Sequence, residues 1–325
     1  MRILHLDAGR EMRGGQWQAL RLIEGLAAMG VESTLLARAG SPLFQAEAQR
    51  AARNGGWRVQ PVGLARAAML AGRHDLIHAH DARGHTVGAI AAIAGRRPLV
   101  VSRRVAFPVA FKVAFNLASR WKYSRANRYL AVSEFVKSVL VAGGVPERKI
   151  SVVYDGVPVL EQAQGPDVVA PANAGDPRKG APLAMEAARL AGVTLKFSAD
   201  LERDLRHAAI FVYITHSEGL GSGALLAMGA GVPVVASRTG GLPEAIRHGE
   251  NGLLVENDAA SIAAAIHLLL NDGDFARRMG EAARRTVLEK FTVDHMVRRT
   301  MEVYSQVIDV GQASRPVFPE PSAND

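Results

Sequence analysis

Residues Ser217 to Ala236 read SEGLGSGALLAMGAGVPVVA, and this run decides the fold class. Glu218 follows an apolar stretch, Ile210 to Thr215, with the length and composition of a buried strand. Gly219, Gly221 and Gly223 form a turn whose backbone can approach a ligand more closely than a side chain would permit. Ala224 to Ala230 predicts a short helix with its first amides pointing into that turn, where the helix dipole favours an anion. Val232 to Ala236 predicts a second buried strand, so the run is a βαβ unit.

Outward from this unit the chain keeps the same alternation, the pattern of doubly wound parallel sheets. Upstream, strands are expected at Arg2 to Leu6, Glu32 to Ala37, Trp57 to Val62, Leu76 to Ala79, Leu99 to Ser102, Arg128 to Val132 and Ile150 to Val153, with helices between them. The first of these helices, Gly15 to Met29, places Leu20, Ile23, Leu26 and Ala27 at helical spacing. Residues 1–156 therefore read as one Rossmann-like domain. The Pro-, Gly- and Ala-rich stretch 157–175 reads as an interdomain crossing. Residues 176–309 read as a second α/β domain that ends in two long helices, Phe275 to Lys290 and Val293 to Ile308. The tail, 310–325, has three prolines from Gly311 onward and no apolar period, and is expected to be disordered.

The 325 residues suffice for two domains, and 48% apolar content supports substantial cores. The chain has no cysteine, which excludes disulfides and thiolate metal sites and fits a reducing, cytoplasmic setting. The N-terminus reads as a first strand and a glycine turn, not as a signal peptide, and no apolar run reaches membrane-spanning length.

Charge is uneven: up to Asp155 there are 23 Lys/Arg against 10 Asp/Glu, net +13, and the remainder is net −5, giving +8 in all. From Phe111 to Tyr129 cations and aromatics interleave: Lys112, Phe115, Arg120, Trp121, Lys122, Tyr123, Arg125 and Arg128. Such a stretch fits a helix on an anionic membrane surface, at the inner face of the membrane, and equally a solvated helix with its aromatics in the core. No nucleic-acid motif accompanies the charge, so nucleic acid is not an expected partner. His78 and His80 share one strand face, but the Asp of a metallo-hydrolase spacing is displaced to Asp81, so no metal is assigned. Gly221-Ser222-Gly223 lacks the spacing of a serine nucleophile turn.

The Glu-Gly-x-Gly turn, its helix and the Gly-Val-Pro-Val-Val strand resemble the donor-site signature of retaining glycosyltransferases of family 4, which have the GT-B fold. The resemblance extends from Arg2 to about Ile308. It includes Gly14-Gly15, the Asp75 to His80 strand end, Val132-Ser133-Glu134, Val153 to Val157, Gly240-Gly241-Leu242-Pro243-Glu244 and Gly249 to Val255. It implies two Rossmann-like domains facing a cleft, and transfer of a sugar with anomeric retention. The donor would be an activated sugar, a nucleotide sugar or a lipid-phosphate sugar, and the acceptor the hydroxyl of a glycan or lipid. The family also suggests work in envelope polysaccharide or lipid glycan synthesis, without cofactor or metal.

By the same resemblance, Glu218 and Lys179 are the catalytic pair, Glu218 on donor-sugar hydroxyls and Lys179 on the departing phosphate. Gly14, Gly15, Arg104, Gly219, Leu220 and Gly221 fall on the donor and phosphate side, and His80 and Arg103 on the acceptor side. The pattern departs from the family on the donor half. Leu226 stands where the family has a second Glu, Ala174 where it has a basic residue, and only one strand is expected between the Lys179 helix and Ile210. The donor domain thus reads as shortened by one βα unit and partly degenerate. A sugar- or partner-binding protein without transfer, and a GT-B epimerase or phosphorylase, remain alternative readings.

Overall fold

Short runs of Ile, Leu and Val that alternate with amphipathic helices build two parallel sheets. In the computed structural model the described residues are 1–105, 117–172 and 179–313. The first half contains β1 (Arg2–Asp7), α1 (Gly14–Ala28), β2 (Glu32–Ala37), α2 (Pro42–Asn54), β3 (Trp57–Pro61), α3 (Leu64–Ala71) and β4 (Leu76–Ala79). It continues through α4 (Ala82–Gly95), β5 (Leu99–Arg103), α5 (Leu117–Arg125), β6 (Arg128–Ala131), α6 (Glu134–Ala142) and β7 (Ile150–Val152). The seven strands lie in the order β3-β2-β1-β4-β5-β6-β7. All neighbours are parallel. The order reverses between β1 and β4, the place where an open α/β sheet opens a ligand crevice at its strand ends.

The second half contains β8 (Asp167–Pro171), α7 (Ala181–Leu190), β9 (Leu195–Ser198), α8 (Leu201–Asp204), β10 (Ala208–Tyr213), α9 (Ser222–Gly229) and β11 (Val234–Ser237). Then follow α10 (Leu242–Ala245), β12 (Leu253–Val255), α11 (Ala259–Asn271), α12 (Gly273–Lys290) and α13 (Val293–Ala313). This five-stranded sheet has the order β12-β11-β10-β8-β9. The chain is thus doubly wound twice, as its alternation predicts. Between α7 and β10 there is one strand, β9, as expected, and Asp200 to His207 contribute only α8 followed by a single 3-10 turn.

Three expectations change. The stretch 157–175 is not all crossing, because β8 lies inside it and pairs with both β10 and β9, with Val168, Val169 and Ala170 buried. Five residues flanked by Pro, Gly and Ala carried too weak a periodicity to stand out from a linker. The last helix runs on to Ala313, so the segment 310–325 begins as helix, and 314–325 lie outside the described residues. Finally, α13 does not close the second domain. Its Met296, Val297, Val303 and Tyr304 join Ile3, Leu22, Leu26 and Leu76 in one buried cluster, so it finishes the core of the first. Of the basic stretch, residues 111–116, with Phe111, Lys112 and Phe115, lie outside the described residues, and residues 117–129 supply α5 and the start of β6.

Candidate functional site

In the second sheet the strand order reverses between β8 and β10, and the chain leaving each strand carries one member of an ion pair. Lys179 follows β8 and Glu218 follows β10. Lys179 Nζ lies 2.5 Å from Glu218 Oε2. Tyr213 Oη donates to the same oxygen at 2.7 Å, and the Gly219 amide donates to Oε1 at 3.1 Å. Lys179 Nζ also stands 5.4 Å from the centre of the Tyr213 ring. Two donors and an amide therefore fix this carboxylate, whose side chain keeps 15% of its surface exposed, enough for a ligand to reach. Burial first, then the Glu218 charge, raises the Tyr213 phenol well above its ordinary range, so it remains a proton donor to the carboxylate.

The turn beyond Glu218 is built for close approach. Gly221 caps α9 at φ +94°, a left-handed conformation that side chains rarely adopt. Gly14 of the first domain sits so near that a Cβ there would lie 2.9 Å from Ser222 Oγ, at the start of α9. A Cβ on Gly15 would lie 3.7 Å from Arg104 Cδ. The starts of α1 and α9 thus meet across the domain boundary, and each offers first-turn amides to an anion. Leu220 is 1% exposed and packs in the core, which leaves only its backbone to face a ligand. Leu226 is likewise buried, within α9.

Arg104 reaches the same boundary. Its Nε stands 3.4 Å from Asp155 Oδ1, a loose pair, and its Nη1 is buried without a hydrogen-bond partner among the described residues. Burial pushes the Asp155 carboxyl up to about 6, against the pull of Arg104 and Arg21. Asp7, at the end of β1, is also pushed up to about 6, by burial and then by Asp81. Arg103 acts on a different neighbourhood: burial pushes His85 down to about 3, with Lys122 and Arg103 adding to the effect.

His80 is brought together with other histidines, not with Glu218 or Lys179. Strand pairing sets His5 opposite His78. His80 Nε2 lies 3.0 Å from His5 Nδ1, and His78 engages Tyr304 Oη at 2.5 Å and Ser102 Oγ at 2.8 Å. One nitrogen from each ring falls within 4.8 Å of the others, a span that a metal could bridge. However, His5 and His78 already use both nitrogens, on His80, Ser33, Tyr304 and Ser102. The Arg104 charge also acts on His78 and His80, behind burial and their neighbouring imidazoles, to keep them neutral. The donor set therefore reads as a hydrogen-bonded imidazole core.

The sequence reading gave no site role to Tyr213, His5, Asp155 or Glu244. Tyr213 ends the apolar strand five residues before Glu218, and Asp155 and Glu244 lie in segments that carry the resemblance, but their partners depend on chain pairing or domain contact, as does His5. Ala174 and Asp176 to Arg178 lie outside the described residues.

A model of Glycosyltransferase Family 4 matches residues 12–159, and one of Glycosyl transferases group 1 matches residues 166–286. The alpha-maltose-1-phosphate synthase of Mycolicibacterium smegmatis is 39% identical over 110 residues, 32% of this chain and 28% of that protein. The N-acetyl-alpha-D-glucosaminyl L-malate synthase of Bacillus anthracis is 36% identical over 100 residues, 30% of this chain and 26% of that protein. The chain thus spans about a quarter of the length of these curated relatives. Anabaena Alr3699/HepE, solved in complex with UDP and glucose, superposes with a TM-score of 0.80 at 20% identity, covering 94% of this chain and 99% of that one. Two adjoining family models, one on each parallel-sheet domain, together with that superposition lead to one assignment: the chain belongs to glycosyltransferase family 4 and has the GT-B fold.

Proposed function

We propose that this protein transfers a sugar from a nucleotide-sugar donor to a hydroxyl acceptor, with retention at the anomeric carbon and without a metal. The observation that carries the reading is the Lys179–Glu218–Tyr213 cluster, set at the strand-order reversal beside the paired starts of α1 and α9. Sugar transfer from a diphosphate leaves negative charge on the departing phosphate. A fixed cation and two sets of helix amides stabilise such charge where it develops. Lys179 shifts from Glu218 towards the phosphate, the Gly14-Gly15 and Gly221-Ser222 amides receive its oxygens, and Arg104 Nη1 supplies a further donor. Glu218, freed from Lys179 and still held by Tyr213 and the Gly219 amide, accepts from donor-sugar hydroxyls. The acceptor hydroxyl enters on the same face as the leaving phosphate and passes its proton to that phosphate. A recess beside Lys179, lined by Pro171, Phe197, Val212 and Ile214, suits the apolar face of a base or of a lipid-linked donor.

The acceptor in this reading is a glycan or lipid of the cell envelope, met by the basic first domain at an anionic membrane face. On α5, Leu117 is 78% exposed and Trp121 37%. Arg125 stands 5.7 Å from the Trp121 ring, so apolar groups and cations emerge together. None of the described helices is long and apolar enough to cross a membrane. The buried Leu226 and the short second sheet favour a weaker hold on the nucleotide than a charged partner would give.

Isothermal titration with UDP, GDP and ADP, then with the sugar conjugate of whichever binds, tests the proposal. Micromolar binding of one nucleotide is expected, with turnover abolished in Glu218→Ala and Lys179→Ala. Silence from all three nucleotides would overturn the nucleotide donor in favour of a lipid-linked donor or a non-catalytic binding protein, and unchanged turnover in both variants would overturn the assignment of Glu218 and Lys179 to the reaction.

A further inference from the structure

Helix α6 starts at the domain boundary, and its first amides are satisfied from two domains. Ser133 Oγ, in the same domain, accepts from the Val136 amide at 3.0 Å. The amides of Glu134 and Phe135 instead donate to Glu244 Oε2 and Oε1, at 2.8 Å each. Glu244 belongs to α10 of the other domain, and Tyr154 Oη adds a third donor to the same carboxylate at 3.3 Å. The first amides of a helix lack intrahelical partners, and a carboxylate there also meets the positive end of the dipole. Glu244 is therefore an N-terminal cap supplied across the cleft.

The same corner holds the turn that carries Glu218. Ser133 Oγ donates to the Gly219 carbonyl at 2.7 Å, again across the boundary. The Gly241 amide donates to the Glu218 carbonyl at 3.3 Å. Gly240 and Gly241 press on that turn so closely that a Cβ on either would lie 2.0 Å from the carbonyl oxygen of Glu218 or Gly219 respectively. Glu244 thus sits three residues beyond a backbone stack that backs directly onto Glu218, while its carboxylate grips the opposite domain.

We propose that Glu244 is a positioning residue that couples domain closure to placement of Glu218. When the domains approach, the open end of α6 captures Glu244. The Gly240-Gly241 segment is then fixed, and the Glu218-Gly219 turn is clamped between that segment and Ser133. When the domains part, the Glu134 and Phe135 amides return to water and the turn loses two of its supports at once. A cleft that closes around a donor therefore completes its own sugar-binding carboxylate. The consequence for turnover rests on the transferase reading; the clamp itself does not.

The test uses the full chain with Glu244→Ala, Glu244→Gln and Tyr154→Phe, reading amide hydrogen exchange and steady-state kinetics. In Glu244→Ala, exchange is expected to accelerate at least about tenfold at Glu134 and Phe135 and also at Gly219 and Gly241, while strand amides in both domains stay protected. The kcat is expected to fall about 10- to 100-fold, the range of a lost charge-assisted hydrogen bond, with a smaller change in KM. Glu244→Gln keeps one acceptor oxygen and should fall between wild type and alanine on every readout. Faster exchange at Glu134 and Phe135 with none at Gly219 and Gly241 would reduce Glu244 to a local cap and overturn the coupling; so would unchanged exchange at all four. If Glu244→Ala fails to fold, the Gln and Phe variants carry the same comparison. A wild type without turnover on any donor would count against the transferase reading, and the exchange measurement would still decide the clamp.

Discussion

Gly219→Ala separates the integrity of the two domains from their approach. Gly219 is not among the positive-φ glycines, so alanine brings no backbone strain of that kind. Its Cβ, however, would lie 2.2 Å from the Arg104 carbonyl oxygen of the other domain, whereas real Cβ contacts essentially never fall below 3.0 Å. The boundary must therefore open by at least 0.8 Å, the difference between those two distances, and backbone facing backbone has no rotamer by which to yield. Overpacking of this kind costs about 1–3 kcal/mol, and the boundary rather than either core takes it up. A shift of about 1 Å at a reacting centre costs on the order of 100-fold in rate, so turnover should fall by about that factor while the melting temperature changes by only a few degrees. The assay is donor turnover beside a thermal melt. Gly223→Ala, in the first turn of α9, is the intradomain comparison, since its Cβ would meet the Tyr213 ring at 3.2 Å without crossing the boundary. Wild-type turnover in Gly219→Ala would refute the argument that Glu218 works only with the boundary closed.

Two further outcomes follow from buried and exposed charge. Burial pushes His5 down to about 3, with His74 adding, and pushes His85 to about 3 as well. The unfolded chain thus binds protons near pH 6.5 that the folded chain refuses, so this stability is fully present above about pH 6.5 and is lost as pH falls, by about 1.4 kcal/mol per imidazole per pH unit. Asp7 and Asp155, pushed up to about 6, act with the opposite sign between their ordinary 3.8 and 6. The fall in urea midpoint should therefore be steepest below about pH 4, and a flat midpoint down to about pH 3.5 would contradict the neutral imidazole core. For the membrane face, sedimentation with anionic vesicles at low salt should weaken at high salt and on replacing Lys122 and Arg125, and no sedimentation at low salt would remove that reading.

The strands and helices of both sheets were legible because their cores are local: Leu20, Ile23 and Leu26 repeat at helical spacing, and Val234, Val235 and Ala236 form a continuous buried run. Glu218 and its glycine turn were legible for the same reason, since strand, acid, turn and helix are contiguous. β8 was not, because five residues among Pro, Gly and Ala become a strand only when β10 and β9 supply hydrogen bonds on both sides. Nor was the allegiance of α13, whose amphipathic face fits either domain until Tyr304 meets His78.

Sequence by itself therefore determined the alternation, the parallel sheets and the glycine turn after Glu218, all of which follow from side-chain period and backbone freedom within about twenty residues. Tertiary structure decided the partners: Tyr213 and Lys179 on Glu218, His5 beside His78 and His80, Asp155 against Arg104, and Glu244 on the first turn of α6. These are contacts between groups brought within hydrogen-bond reach by strand order and domain approach. No period along the chain encodes such proximity, because the distance between two side chains is set by the packing of everything that lies between them.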